Sequence, residues 1–567
     1  MAAIICSLKR KRFVEESNFS ILHIHTTIPT LLLTNFSLIS LFKVYTEPLL
    51  LTVSFTLLLI LMPSALFATE LHDNKTAIIR EIKFVRQNVF SKDDNPLGLG
   101  DPFLNRLHFI TRKIIIKQEL LFKVGDRLDL DLINETERNL RKLIFIGSVQ
   151  ILSEENSDGS VDLTVYTRDL WTTTVGIEFS RLDNENIFGI LLEEQSMLGY
   201  GSPVSIGITN TEDGINLRVS NLYKRIRGSR WNLNTFLRDG PGEEYRYFFG
   251  LNRPLYSLNT KWAFGAHVNN QNLPRKKDTD EEFIEQSNSQ FYSVTRVYGT
   301  RFRKLVSSMN FFQEFSESEI SVQNLKELSG NIRFRALRFA KARRLDKMER
   351  VEDIELGSSV GLGISKSGSF IKSDREYWKL SVSQTLSFPS GSKSWIFQRL
   401  NYTNTFEDDK EINRIWEFDL KAYSQVFPNQ TIAFRLFTGS RANLDDRTDI
   451  YSLRDRTGLR GYTLEDSLSG RKILLMNLED RFFSDIKFLT LSFGGVIFAD
   501  AGGIWQESES INLSELKYSI GLGLRWEVSK SASSRITKLD FALPLNGKGL
   551  SIDNIVVLIS TGQIFSK

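Results

Sequence analysis

Two stretches carry the residue types of serine chemistry. GSSVG, Gly357 to Gly361, fits the G-x-S-x-G pattern and would make Ser359 a nucleophile. That chemistry needs a histidine later in the chain to take the serine proton, and none follows His267. The stretch also runs on into GLGISKS, a strand texture rather than strand-turn-helix. SGSK, Ser390 to Lys393, matches S-x-x-K, but it follows Phe388-Pro389 in a turn and lacks the companion motifs. Beyond residue 68 only His72, His108 and His267 remain, without metal-ligand spacing, and no G-x-x-x-x-G-K phosphate loop occurs. The chain therefore reads as no enzyme, with no metal and no cofactor. What remains is a charge: LRGYTLEDSL, Leu459 to Leu468, places an arginine before a glycine and an aromatic within alternating polar and apolar sequence. If buried, Arg460 demands a carboxylate and several acceptors, because an unpaired buried charge is very costly. If exposed, it is a loop arginine with Gly461 serving a turn.

Parity supplies the candidate partners. In LTLSFGGVIFADAGG, Leu489, Leu491, Phe493, Ile497 and Ala499 form an apolar row, leaving Thr490, Ser492, Gly494 and Asp500 on the polar face. In KILLMNLEDRFF, the row of Leu474, Met476, Leu478 and Phe482 is apolar, so Asn477, Glu479 and Arg481 face the other way. Asp480 on the apolar row does not fit, unless it lies at an interface. A tight turn at Ser484 to Lys487 would set Glu479 opposite Ser492, leaving Asp500 roughly 26 Å farther along and out of reach of one arginine. A broader turn reaching about Thr490 would bring the two acids across from each other. Asp500 is the first candidate and Glu479 the second.

The elements that position these residues divide into two unlike parts. Residues 77–169 read as a small mixed domain: Ile82 and Phe84 on one strand face, a helical segment RKIIIKQELLF, and a second helix with Ile133, Thr136, Leu140, Leu143 and Ile144 at the 3.6 period. Strands around Val149–Ile151 and Val161–Val165 follow, either side of ENSDGS. The order β-α-α-β-β buries one sheet face under two helices and leaves a strand edge for another extended chain. Residues 170–567 are alternating segments such as YWKLSVSQTLSF, with charged loops such as PRKKDTDEEFIEQSNS between them. That is the texture of a transmembrane β-barrel, and 11% aromatic residues with 41 Phe suit its interface girdles. A soluble sandwich or propeller also has short alternating strands, but no regular 40-residue repeat is visible. Allowing roughly 25 residues per strand and connection gives about 16 antiparallel strands.

At the other end, residues 1–68 read as a leader. Pro48 to Thr69 carry no charge, and SALFA offers a small residue for cleavage after Ala68. The 22 uncharged residues would also suffice for a retained anchor. No later run resembles a membrane helix. The sole cysteine, Cys6, lies in the leader, so the mature chain would hold no thiol. The net charge is +4, which gives no reason to expect nucleic acid as a partner.

LRGY, then MNLEDRF, then VIFADAGGIW, after a β-α-α-β-β domain, resemble the BamA/TamA-like outer-membrane barrel assembly and translocation superfamily. The resemblance implies a POTRA domain in the periplasm before a 16-stranded outer-membrane barrel, with an extracellular loop folded into the lumen. Carried over by position, the loop motif is Leu459, Arg460, Gly461 and Tyr462, and the barrel wall supplies Asp500 and Gly502, with Glu479 second. The implied partners are the outer-membrane bilayer, unfolded outer-membrane or secreted polypeptides, and periplasmic or accessory assembly proteins. The sequence departs from the family in showing one POTRA-like domain, and in ending GQIFSK with Phe565 two residues short of the end. A two-partner secretion transporter usually has two such domains and a plugging helix, neither of which is found. The alternative is a passive outer-membrane channel of porin type, which would carry charge rings and no tethered LRGY loop.

Overall fold

The computed structural model describes residues 77–563, apart from 92–100, 183–184, 212, 277–281, 319–321, 446–447, 449, 464–465, 489, 534 and 547–550. The leader with its cleavage point, His72, Leu489 and Phe565 therefore lie outside the described residues.

The N-terminal part is a three-stranded sheet with helices on one side. Strand β1 (Ile79–Gln87) is followed by α1 (Asp101–Leu107), α2 (Lys113–Glu119) and α3 (Leu130–Arg141), then β2 (Ile146–Glu155) and β3 (Val161–Asp169). The short helix α1 adds to the two helices that periodicity predicts. β3 runs down the middle, parallel to β1 and antiparallel to β2. Helix α3 begins where Asp129 accepts a hydrogen bond from the Leu132 amide at 3.1 Å, satisfying a free N-terminal donor. Its Ile133 and Leu140 bury against Ile79, Ile116, Leu163 and Val165. Both edges are engaged in part: the Ile151 amide of β2 donates to Glu137 at 2.9 Å, and on β1 the Ile79 amide donates to the Asp126 carbonyl and the Ile79 carbonyl accepts from the Gly125 amide, each at 2.9 Å.

From residue 173 the chain makes one antiparallel sheet. Six short strands come first: β4 (Thr173–Leu182), β5 (Glu185–Glu194), β6 (Val204–Thr211), β7 (Gly214–Tyr223), β8 (Asn232–Asp239) and β9 (Tyr245–Arg253). Nine longer ones follow: β10 (Trp262–Lys276), β11 (Glu282–Gly299), β12 (Arg303–Ser318), β13 (Val322–Ala342), β14 (Glu352–Ser367), β15 (Tyr377–Gly391), β16 (Ser394–Glu407), β17 (Lys410–Ser424) and β18 (Gln430–Ala442). After a small hairpin, β19 (Tyr451–Leu453) and β20 (Leu468–Gly470), the sheet resumes with β21 (Lys472–Phe488), β22 (Leu491–Trp505), β23 (Lys517–Val528), β24 (Thr537–Pro544) and β25 (Val556–Thr561). Leaving out β19 and β20, the strand order is that of a closed barrel, with β25 beside β4.

The sheet has twenty strands, not sixteen. An allowance of about 25 residues per strand assumes long connections, whereas here β4 to β9 are short and several hairpins are tight. Asp408 and Asp409, the two residues between β16 and β17, both have positive φ, as a two-residue hairpin with the strands' own twist requires.

Alternation along each strand puts apolar side chains outside and polar ones inside. Ile208, Ile364 and Leu522 are 52%, 59% and 58% exposed on the outer face, while Asn477, Glu479, Ser519 and Asp540 are buried inside.

The N-terminal part docks on the end of the sheet from which β4 rises. Arg141 pairs with Asp353 through bonds of 2.8 and 2.9 Å, Glu137 takes the Lys341 ammonium at 2.9 Å, and Arg301 holds Asp129 at 2.9 and 3.2 Å. Arg138 lies over the Phe339 ring at 3.6 Å. Burial pushes the Asp129 and Glu137 carboxyls up, but Arg301 on the first, and Lys341, the Ile151 amide and Arg141 on the second, outweigh it and hold both below their ordinary values of 3.8 and 4.5. A depressed carboxyl stabilises the docked state at pH above its ordinary value, and that contribution disappears as pH falls through the depressed one. Docking should therefore persist from pH 7 to about pH 5 and weaken below 3.8. Hydrogen exchange of residues 129–141, rising on acidification in step with 353–355, would report it.

Candidate functional site

The site is built on the connection between β18 and β21. It leaves the far rim of the sheet, forms the β19–β20 hairpin, and turns inward so that Arg460 reaches Asp500, five residues or roughly 17 Å below the end of β22. Apolar packing holds the loop: Tyr451, Leu453, Leu459 and Tyr462 cluster with Ile473 and Leu475. The close approach fixes Gly461, since a Cβ there would stand 2.6 Å from Ser519 Cβ and 3.1 Å from the Pro544 nitrogen. Gly502 is fixed likewise, its missing Cβ leaving room for Leu453.

Arg460 is fully buried, and each end of its guanidinium meets a carboxylate. Nε and Nη2 donate to Asp500 at 2.8 and 2.7 Å, and Nη1 donates to Glu479 at 2.7 Å. Its plane lies 3.4 Å over the Phe498 ring. Asp500 is in turn held by Asn477 Nδ2 at 2.8 Å and the Arg460 amide at 3.3 Å. Tyr462 donates its hydroxyl to the Asn546 side chain at 2.7 Å, tying the loop to the connection after β24. Such a planar fork bridging two acids is geometry that lysine cannot reproduce.

One arginine touches both acids because β21 runs on to Phe488 before the chain turns back, later than a turn at Ser484 to Lys487. Phe488 pairs with Leu491, the register slips between Phe483 and Lys487, and Asn477 comes opposite Asp500, so Glu479 sits one inward position from it. Asp480, on the outward row, faces Ile432 and Ile497, and nothing in the structure explains it. Parity overlooks Phe498, which shares Asp500's row, and Asp540, whose carboxylate lies 3.9 Å from Arg460 and takes a bond from Arg525 at 2.6 Å. The other candidates stand apart: Ser359 lies within β14 opposite Arg335 and Thr385, His267 stacks on Phe291, and His108 meets Asp169 at 3.2 Å. Among the described residues no group of histidines, cysteines and acids could hold a metal.

Sequence reasoning also misses a second inward segment. Residues 343–351, between β13 and β14 at the docked end, cross the interior to strands five to eight places around the ring. Arg344 reaches Asn429 and Asp485, Glu349 takes Lys487 and Ser492, the Met348 amide donates to Glu527 at 2.9 Å, and Arg350 bonds the Ser531 carbonyl. Glu352 gathers the amides of Leu345, Asp346 and Lys347. In sequence, ARRLDKMERVE is only a run of charges, and nothing in it separates an inward fold from a solvated turn. The two inward segments meet through β21: Arg481 donates to Glu479 at 2.7 Å and to the Leu345 carbonyl at 2.6 Å.

No family model matches the chain, and no curated protein matches it. Among solved structures it is similar to CdiB from Acinetobacter baumannii, at 14% identity over 86% of this chain and 73% of that one, with a TM-score of 0.39. It is similar to BamA from Haemophilus ducreyi lacking POTRA domains 1–3, at 12% over 86% and 84%, TM-score 0.33. It is similar also to CdiB from Escherichia coli, at 10% over 85% and 75%, TM-score 0.40. At these scores the likenesses assign no function, and the reading of the site rests on its own geometry.

Removing one partner of a buried ion pair costs about 3–5 kcal/mol, so Arg460→Ala should lower the folded, heat-modifiable fraction on electrophoresis. Asp500→Ala added to it should cost far less than the sum of the two single losses, since both act on one contact. Gly461→Ala should expel the loop to similar effect, because its Cβ has no room.

Proposed function

We propose that the chain is an outer-membrane barrel that assembles, inserts or translocates polypeptides, with residues 77–169 as its POTRA-like periplasmic domain. The observation that carries the reading is the inward loop whose Arg460 is bridged between Asp500 and Glu479. A passive pore has no use for a loop anchored at this electrostatic cost, since its selectivity needs charge around an open constriction. The apolar outer face supports a bilayer as the surroundings, because only a closed sheet satisfies its backbone polar groups in lipid.

In this reading the N-terminal sheet receives an extended client by strand addition, using backbone bonds that tolerate many sequences. Of its two edge strands, β2 is engaged at mid-strand by Glu137, while β1 is engaged at its first residue, Ile79, by Gly125 and Asp126, which leaves the rest of β1 for the client. The client then enters the bilayer at the seam between β4 and β25, where the last strand is only six residues long. The inward loop, pinned by Arg460, keeps the wall in shape while the seam opens.

Depletion of the protein in its host should lower the folded levels of other outer-membrane proteins, and Arg460→Ala should reproduce that loss. Unchanged levels together with lost solute permeability would instead establish a channel. In planar bilayers the two inward segments should keep conductance well below that of an open barrel of this size, and excising residues 344–350 should raise it.

A further inference from the structure

Where the N-terminal part meets the β5–β6 turn, a group of large apolar side chains is left uncovered. Phe103 and Leu107, one helical turn apart on α1, are 64% and 57% exposed, and Phe109 just beyond is 59% exposed. Beside them Met197, Leu198 and Tyr200 of the turn are each about 45% exposed. The two groups are joined by backbone: the Arg112 amide donates to the Gly199 carbonyl at 3.0 Å, and Arg112 Nε to the Leu198 carbonyl at 3.1 Å. Isolated exposed apolar residues are ordinary, but six large ones on two segments joined in this way mark a surface with a partner.

Two features identify that partner as a lipid surface. First, the patch continues the outer apolar face of the barrel: the turn lies directly below β5 and β6, whose Ile190, Leu192, Ile206 and Ile208 are exposed on the outside. Second, it is flanked by positive charge. Residues 102–118 contain Arg106, Arg112, Lys113 and Lys117 and no acid, and Arg112 stands 4.1 Å over the Tyr200 ring. An aromatic and aliphatic patch edged by cations is the composition that settles at the headgroup boundary of an anionic bilayer, rings in the interface and cations toward phosphate.

We infer that α1, the Phe109 segment and the β5–β6 turn form an interfacial foot that rests the N-terminal part on the inner face of the same bilayer the barrel crosses. The foot rests on the membrane reading of the sheet and makes one surface of the two. It fixes the height of the N-terminal sheet below the seam strand β4, adding lipid contact to the ion pairs of Asp129, Glu137 and Arg141.

The chain's only thiol is Cys6, so single labels are straightforward. In the full chain carrying Cys6→Ser, nitroxides would be placed at Phe103→Cys and Leu198→Cys, with Ile208→Cys on the outer barrel face and Ser153→Cys on exposed β2 as references. The protein would be reconstituted in bilayers of phosphatidylglycerol and phosphatidylcholine. Collision with oxygen and with a water-soluble nickel chelate should place 103 and 198 on the lipid side, shifted toward 208 and away from 153. If 103 and 198 behave as 153 does while 208 reports lipid, the foot is wrong, the patch belongs to a polypeptide partner or to none, and the membrane reading stands. If 208 also behaves as 153 does, the membrane reading fails with it.

Discussion

A fully desolvated guanidinium organises the interior of this protein. Taking Arg460 out of water costs several kcal/mol before any contact is counted, and the structure answers with two carboxylates, an aromatic face and an amide side chain that holds one of the acids. Each partner then constrains something else. Asp500 fixes the depth to which the loop descends, Glu479 fixes the register of β21 against β22, and the closeness of the loop backbone to β23 and β24 excludes a side chain at Gly461. Little of the wall between β21 and β24 could change without disturbing that one charge.

Much of this was legible in the sequence because a strand has a period of two. Counting alternate residues assigns Asn477, Glu479, Arg481 and Asp500 to one face, and the structure has all four buried on the inside. Within residues 77–169 the three strands and the helices α2 and α3 were legible for a similar reason, but the seven-residue α1 was not. Three further things were not. Strand number depends on the length of connections, which composition does not encode. The reach of Arg460 to both acids depends on the β21–β22 turn falling after Phe488 and not at Ser484 to Lys487, and SDIKFLT does not mark which. The segment 343–351 looks like any charged turn, because the carboxylates and carbonyls that receive its arginines come from strands about 80 to 190 residues later in the chain.

The interior is thus occupied from both ends, by a loop descending from the far rim and by a turn crossing from the docked end. They are joined by a chain of ions, Asp500, Arg460, Glu479 and Arg481, that ends on the Leu345 carbonyl. Alternating charges in contact tolerate burial because every member has a partner of the opposite sign, while a missing member leaves its neighbours exposed to the full cost of desolvation. Asp353, which takes Arg141 of the N-terminal part, stands at the start of β14, next to the end of that turn.

The spacing of Glu479 and Arg481, two residues apart on one strand, has a consequence for how the barrel is built. A slip of β21 by a single residue would turn both ions onto the apolar outer face and present Leu478 and Asp480 to the guanidinium instead. Misalignment would be penalised on both sides of the wall, whereas a slip in a strand of serines and glycines would pass almost unnoticed. The ions therefore act as a checksum on the alignment of β21.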